Sequence, residues 1–270
     1  MRGLSVLAAA LLLCLGLPAA ATDNHDGHSP ASSETATGLR DPDAYSDGMP
    51  AGTPAAGHHD TMTVAALMMN RLEYASPNHG PGATVLEAKA WWGTPYDRLW
   101  LKVDAETVNN CLDHARTEVL WGHAIAPFWD LQAGLRHDGG TGPARQWLAV
   151  GVQGLAPWWF EVDATAYLGS DGRSALRLEA EYELLLNQRW VLQPRIEINA
   201  YGRADPARLL GSGLADLTTG LRLRYHFNRQ FAPYLGIEWR DRHGGTADLL
   251  RAAGEPAGER RIVAGVRFWF

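Results

Sequence analysis

From Val64 onward, short segments alternating apolar and polar residues follow one another almost without a break, and this pattern restricts the fold more than any other feature of the chain. Successive side chains leave a strand on opposite sides, so alternation means strands with two unlike faces. Twelve such segments can be read between clusters of Gly, Pro, Asn and Asp: 64–74, 83–92, 98–106, 113–124, 127–137, 146–155, 157–168, 173–186, 189–202, 214–227, 231–241 and 260–270. In the clearest of them, Leu176, Leu178, Ala180, Tyr182 and Leu184 share one face, and Arg177, Glu179, Glu181 and Glu183 the other. The division recurs where Gln193, Arg195, Glu197 and Asn199 oppose Leu192, Ile196 and Ile198, and where Glu161, Asp163 and Thr165 oppose Phe160, Val162 and Ala164.

Two architectures suit such strands. A soluble sandwich turns the charged face to bulk water, whereas a membrane barrel turns the apolar face to lipid and encloses the charges. Four features favour the barrel. The segment count is even, as a barrel with both ends of its chain on one side requires. Short joints at 93–97, 125–127, 155–157, 186–189 and 227–230 alternate with longer ones at 75–82, 107–112, 138–145, 203–213 and 242–259, with 169–172 as a tight exception. Beside the short joints gather Trp91, Trp92, Tyr96, Phe128, Trp129, Trp158, Trp159, Trp190, Phe231, Trp269 and Phe270, a one-sided aromatic girdle that accounts for much of the 11 Trp. Finally, Ile262, Ala264, Val266, Phe268 and Phe270 put an apolar face on the last strand up to its final residue, which suits a strand that closes a barrel in lipid. The expected fold is therefore an all-β, antiparallel transmembrane barrel of about twelve strands over residues 63–270.

The opposite end of the chain agrees. Arg2, the apolar stretch from Leu4 to Leu17 and the small residues after Pro18 read as a cleaved signal peptide over 1–21, placing the protein in the Gram-negative outer membrane. Cys14 follows Leu13 rather than a small residue, which argues against a lipoprotein signal. Without the leader Cys111 is the only thiol, so no intramolecular disulfide can form. Removing Arg2 leaves 23 basic against 30 acidic residues, a formal charge of −7 that argues against nucleic acid as a partner. Residues 22–62, rich in Pro, Gly, Ser, Thr, Asp and His, are expected to form a disordered periplasmic arm.

Chemistry on this scaffold points first to metal. His25, His28, His58 and His59 supply imidazoles in the arm beside Met49 and Met62, and imidazole suits Cu(II) while thioether suits Cu(I). Inside the barrel, alternation puts Met69, His114, Glu179, Glu181 and Glu183 among the lumen residues, with the three glutamates as the best candidate for an unpaired acidic cluster that attracts cations. Much of the remaining lumen charge reads as structural ion pairing. His123 and His137 fall on the lipid register, and His226 points inward near the periplasmic end. No Gly-rich phosphate loop, HExxH or CxxC occurs, so no enzyme class is indicated.

The strings Ala90-Trp91-Trp92-Gly93-Thr94-Pro95-Tyr96-Asp97-Arg98-Leu99-Trp100-Leu101-Lys102, Gly151 to Thr165, Arg177 to Leu186 and Gly265-Val266-Arg267-Phe268-Trp269-Phe270 closely resemble the copper resistance protein B family. That resemblance implies an outer-membrane protein that binds copper ions or passes them across the membrane beside periplasmic copper-handling proteins, with lipid as its surroundings. The Met/His repeats often found before the barrel in that family are reduced here to two His pairs and scattered Met, which shifts weight from sequestration by the arm to passage through the lumen. The alternatives are a metal-indifferent diffusion channel for small solutes and an outer-membrane lipid hydrolase.

Overall fold

The computed structural model describes residues 63–270, so the expected leader and arm lie outside the described residues. Nearly all of the rest is strand: β1 (Val64–Pro77), β2 (Ala83–Gly93), β3 (Asp97–Val108), β4 (Cys111–Ala126), β5 (Trp129–Gly140), β6 (Arg145–Ala156), β7 (Phe160–Gly169), β8 (Ser174–Glu181), β9 (Leu184–Leu185), β10 (Trp190–Tyr201), β11 (Gly213–Tyr225), β12 (Phe231–Arg242) and β13 (Gly258–Trp269). Each pairs antiparallel with its neighbours, and β13 pairs with β1, so the sheet closes. Because β8 and β9 both pair with β10 on either side of Tyr182-Glu183, they form one stave, and the barrel has twelve. Closure leaves no free sheet edge, which is what a sheet immersed in hydrocarbon needs. Leu67 and Phe270 complete the seam, each amide donating to the other's carbonyl at 3.0 and 2.9 Å.

The packing is inside out relative to a soluble protein. Leu72, Val119, Leu135, Leu148, Val150, Leu168, Leu235 and Ile262 are exposed on the outer wall, while Arg71, Glu73, Glu87, Lys102, Arg116, Glu118, Arg136, Glu179, Arg195 and Arg222 are buried inside. A continuous apolar surface of this kind exceeds what a soluble monomer shows and marks a lipid-facing wall. At the end carrying the short turns, Trp92, Tyr96, Phe128, Trp158, Trp159, Trp269 and Phe270 are exposed, as the girdle requires.

Several expectations change. Trp91 faces inward, its ring 6.2 Å from that of buried Trp100 with the Arg98 guanidinium 5.1 Å from it, because β2 keeps strict alternation up to the turn and only Trp92 is left outside. The joint expected as a loop at 107–112 is a two-residue hairpin: Asn109 and Asn110 take φ of 50° and 60°, left-handed values that Asn tolerates. The long connection 242–259 contains a helix, α1 (Gly244–Ala252). Finally, β1 bulges at Asn70, so that Asn70 and Arg71 both face Glu87, bonding its carboxylate at 3.2 and 2.8 Å. An extra residue reverses the alternation on one side of a bulge. Met69 pairs with Ala88 and Phe268 and is buried, 2% exposed, while Met68 lies opposite Lys89.

Candidate functional site

The lumen is the candidate site, and its character follows from barrel size. Eight staves leave an interior that ordinary side chains fill, so twelve need long ones meeting across the axis. Arg and Glu serve, and they pair between distant walls. Glu87 of β2 takes Arg71 at 2.8 Å and Arg195 of β10 at 3.0 Å. Arg195 also reaches Glu179 at 2.9 Å, Glu181 at 3.2 Å and Glu197 at 3.1 Å. Arg222 of β11 binds Glu73 of β1 and Glu238 of β12, each at 2.8 Å, and the Tyr234 hydroxyl donates to Glu73 at 2.9 Å. Lys102 crosses from β3 to Asp163 of β7 at 2.7 Å. Burial of these charges is tolerable because each has an opposite partner within 3.2 Å.

The glutamates 179, 181 and 183, expected as an unpaired cluster, are in fact paired. Glu179 is held by Arg177 at 2.6 Å as well as by Arg195, Glu181 by Arg195, and Glu183 by Arg224 and Arg267, both at 2.6 Å. The sequence shows a row of acids on one strand but not the arginines that distant strands bring to it. In the middle of the barrel, a cavity of about 20 Å³ lies among Glu87, Lys89, Lys102, Asp104, Arg116, Glu118 and Arg177. That is room on the order of one water molecule.

An aromatic patch, unforeseen from the sequence, forms part of the inner wall: Trp100, Leu120, Trp147, Ala149 and Tyr167 are buried together. Two of the three aromatic heads serve the ionic interior, while the Trp100 indole N–H is buried without a partner among the described residues. Trp147 Nε1 donates to Asp138 at 2.8 Å, the Tyr167 hydroxyl donates to Glu118 at 2.7 Å, and the Arg136 guanidinium sits 4.4 Å from the Tyr167 ring. Alternation would have found it, because Trp100 stands between Arg98 and Lys102 and so shares their inward face.

The end opposite the girdle is covered. Residues 202–212 cross the mouth, with Arg145 binding Asp205 through two hydrogen bonds at 2.8 and 3.1 Å and Arg208 donating to the carbonyls of Pro143 and Gly139. Helix α1 meets this segment at Gly211, whose amide donates to Thr246 Oγ1 at 2.8 Å; a side chain at Gly211 would strike the Thr246 backbone. Beneath lies a cavity of about 430 Å³ whose lining includes His114, Asp113, Glu106, Asp138, Tyr201 and Asp216. His114 is thus in the lumen as expected, across the strand pair from Glu106, which already holds Arg240 and Arg261.

Of the other expected ligands, His25, His28, Met49, His58, His59 and Met62 lie outside the described residues, and Met69 is buried in β1 beside the bulge. Among the described residues no set of three or more His, Cys, Asp or Glu side chains is gathered to hold a metal ion. His137 is exposed on the outer wall, and His123 bonds Asp97 at 2.9 Å at the short-turn rim. Cys111 is exposed at the tip of the two-residue hairpin.

Comparison with known proteins agrees with this architecture. The solved NanC porin covers 76% of this chain and 99% of its own, with a TM-score of 0.50 at 15% identity, a likeness of fold alone. Copper resistance protein B of Escherichia coli is 40% identical over 216 residues, covering 79% of this chain and 73% of that protein. A Copper resistance protein B homolog of Pseudomonas syringae pv. tomato is 41% identical over 220 residues, covering 81% and 74%. The family described as Copper resistance protein B precursor (CopB) matches residues 63–270, the whole described barrel, and the chain belongs to that family.

Proposed function

We propose that this chain is a non-catalytic outer-membrane protein of copper resistance, which binds copper ions weakly at several places and passes them across the membrane. The observation that carries this reading is an ion-lined lumen inside an apolar wall, in a chain whose relatives are named for copper resistance. The girdled, short-turn end faces the periplasm in this reading, since outer-membrane barrels keep their short turns there.

Copper would enter through soft and imidazole donors. His25, His28, His58, His59, Met49 and Met62 of the arm collect it at the periplasmic mouth, and His114 serves the covered cavity at the other end. Between them Met69 offers a buried thioether, and Glu179, Glu181 and Glu183 bind an ion only when it displaces a guanidinium. Such competition keeps the sites weak, which passage requires. Periplasmic copper-handling proteins are the natural exchange partners.

Metal analysis of the purified protein after separate exposure to Cu(I) and Cu(II), with and without residues 22–62, tests the proposal. The expected result is copper retained by the full protein, less by the shortened one, and less again after His114→Ala. Retention of neither ion would overturn it.

A further inference from the structure

The basic side chains of the strands turn inward, with one exception. Along β13, Glu259 and Arg261 pair at 2.8 Å on the lumen side, whereas Ile262 is 67% exposed on the wall. Arg260 shares the outward face with Ile262, and among the described strands it is the one Lys or Arg that does so. Its guanidinium has no hydrogen bond or ion pair among the described residues; exposed Asp241 of β12 stands opposite Gly258 instead. The ten residues from Arg260 to Phe270 of the girdle cover about 33 Å along the strand, or about 25 Å along the axis at a tilt of about 40°. That is the height of an apolar band, so Arg260 stands at the headgroup level opposite the girdle. A groove of about 370 Å³ opens beside it, bounded by Pro77, Asn78, Ile237, Trp239 and Ile262. Trp239 is the register partner of Arg260 and, among the described residues, the outward tryptophan that stands away from the girdle. Asn78 fixes the backbone here, its amide donating to the Arg260 carbonyl at 2.8 Å and its Oδ1 accepting from the Arg260 amide at 3.1 Å. Toward the membrane centre comes Ala264, a small residue between Leu235 and Tyr74, which are 65% and 57% exposed. The dip between those two tall side chains leads away from the groove.

We propose that this groove binds lipid A, the acylated and phosphorylated disaccharide of the outer leaflet. A phosphate accepts from the Arg260 guanidinium, a sugar ring lies against Trp239, and one acyl chain passes Ile262 into the dip at Ala264. Charge selects an anionic lipid: a cation free of protein partners at headgroup height, above an apolar trough, complements a phosphate that carries hydrocarbon. The volume agrees, since sites for small ligands span roughly 300–1,000 Å³. The choice of glycolipid over phospholipid rests on the orientation proposed above, which turns this end of the barrel outward. Copper takes no part, because Arg260 points away from the lumen.

The mature, full-length protein in detergent is titrated with bisphosphorylated lipid A, with the same lipid stripped of phosphate, and with phosphatidylglycerol, and bound lipid is counted by native mass spectrometry. The parent is expected to bind bisphosphorylated lipid A at least about tenfold more tightly than the stripped form, as a charge-assisted hydrogen bond implies, and more tightly than phosphatidylglycerol. Arg260→Gln should abolish the preference for phosphate, and Ala264→Trp should weaken lipid A binding by filling the dip. Arg251→Gln, on the exposed face of α1, should change neither. Heat-dependent gel mobility monitors folding; if Arg260→Gln does not fold, the comparison of the two lipid A forms on the parent reads the same contact. Equal affinity for those two forms, or a preference that survives Arg260→Gln, overturns the inference. So does phosphatidylglycerol that binds as tightly as lipid A, which leaves any phosphate headgroup as the ligand. Orientation is read separately, because Cys111 at the hairpin tip of the same end should take an impermeant maleimide on intact cells. Labelling without lipid selectivity sinks the lipid site alone, whereas absence of labelling sinks the orientation and with it the choice of lipid A.

Discussion

Replacing Arg195 with Gln gives the sharpest test of the ionic interior. The guanidinium lies between Glu87, Glu179, Glu181 and Glu197 at 2.9 to 3.2 Å, with its side chain 6% exposed. After substitution Glu87 keeps Arg71 at 2.8 Å, and Glu179 and Glu197 keep Arg177 at 2.6 and 2.9 Å. Glu181 keeps only the Gln193 amide. The main loss is therefore one buried carboxylate stranded without a cation, a change that costs about 3–5 kcal/mol. Because folded domains are stable by about 5–15 kcal/mol, that is a large share of the total. Urea titration of the barrel in lipid vesicles, followed by tryptophan fluorescence and gel mobility, should register it. Arg195→Gln with Glu181→Gln should recover part of the loss, since the stranded charge is gone. Arg251→Ala is the control: Arg251 meets Asp248 at 3.0 Å on the surface of α1, with side chains 63% and 77% exposed, and its loss should cost no more than about 0.5 kcal/mol. If Arg195→Gln costs less than about 1 kcal/mol, the lumen is solvated enough to screen its charges and the account of a dry ionic interior is wrong.

Two further outcomes are expected. Leu135 is 62% exposed midway along β5, so Leu135→Arg should lower stability in vesicles by about 2–4 kcal/mol if that face meets the bilayer centre, and an unchanged urea midpoint would argue that it meets water. The two hydrogen bonds from Arg145 hold the Asp205 carboxyl below its ordinary range. Because the folded value is depressed, the contact contributes fully above the unfolded pKa of about 3.9 and is lost as pH falls through the folded value. Hydrogen exchange in 202–212 should accordingly rise only below about pH 4, and Asp205→Asn should raise it at neutral pH.

What could be read along the chain was whatever depends on period two. Leu176, Leu178 and Ala180 against Arg177, Glu179 and Glu181 define two faces locally, without knowledge of any partner, and repetition over twelve segments was enough to specify a lipid-facing wall around a charged interior. The same reasoning failed wherever one residue broke the period. The bulge at Asn70 shifts the pairing of β1, because Asn70 and Arg71 together face Glu87 of the neighbouring strand.

Other features had no local signature at all. The glutamates at 179, 181 and 183 looked like an unpaired acidic row because Arg195, Arg224 and Arg267 come from other strands. Likewise, the cover formed by residues 202–212 and α1 depends on Arg145 and Thr246, which are distant in sequence from the residues they hold. The sequence by itself determined which side of each strand avoids water, since that follows from successive residues alone. Only the tertiary structure decided which charges neutralise one another, because a side chain's partner across a closed barrel is set by register, stave count and diameter, quantities that no single strand contains.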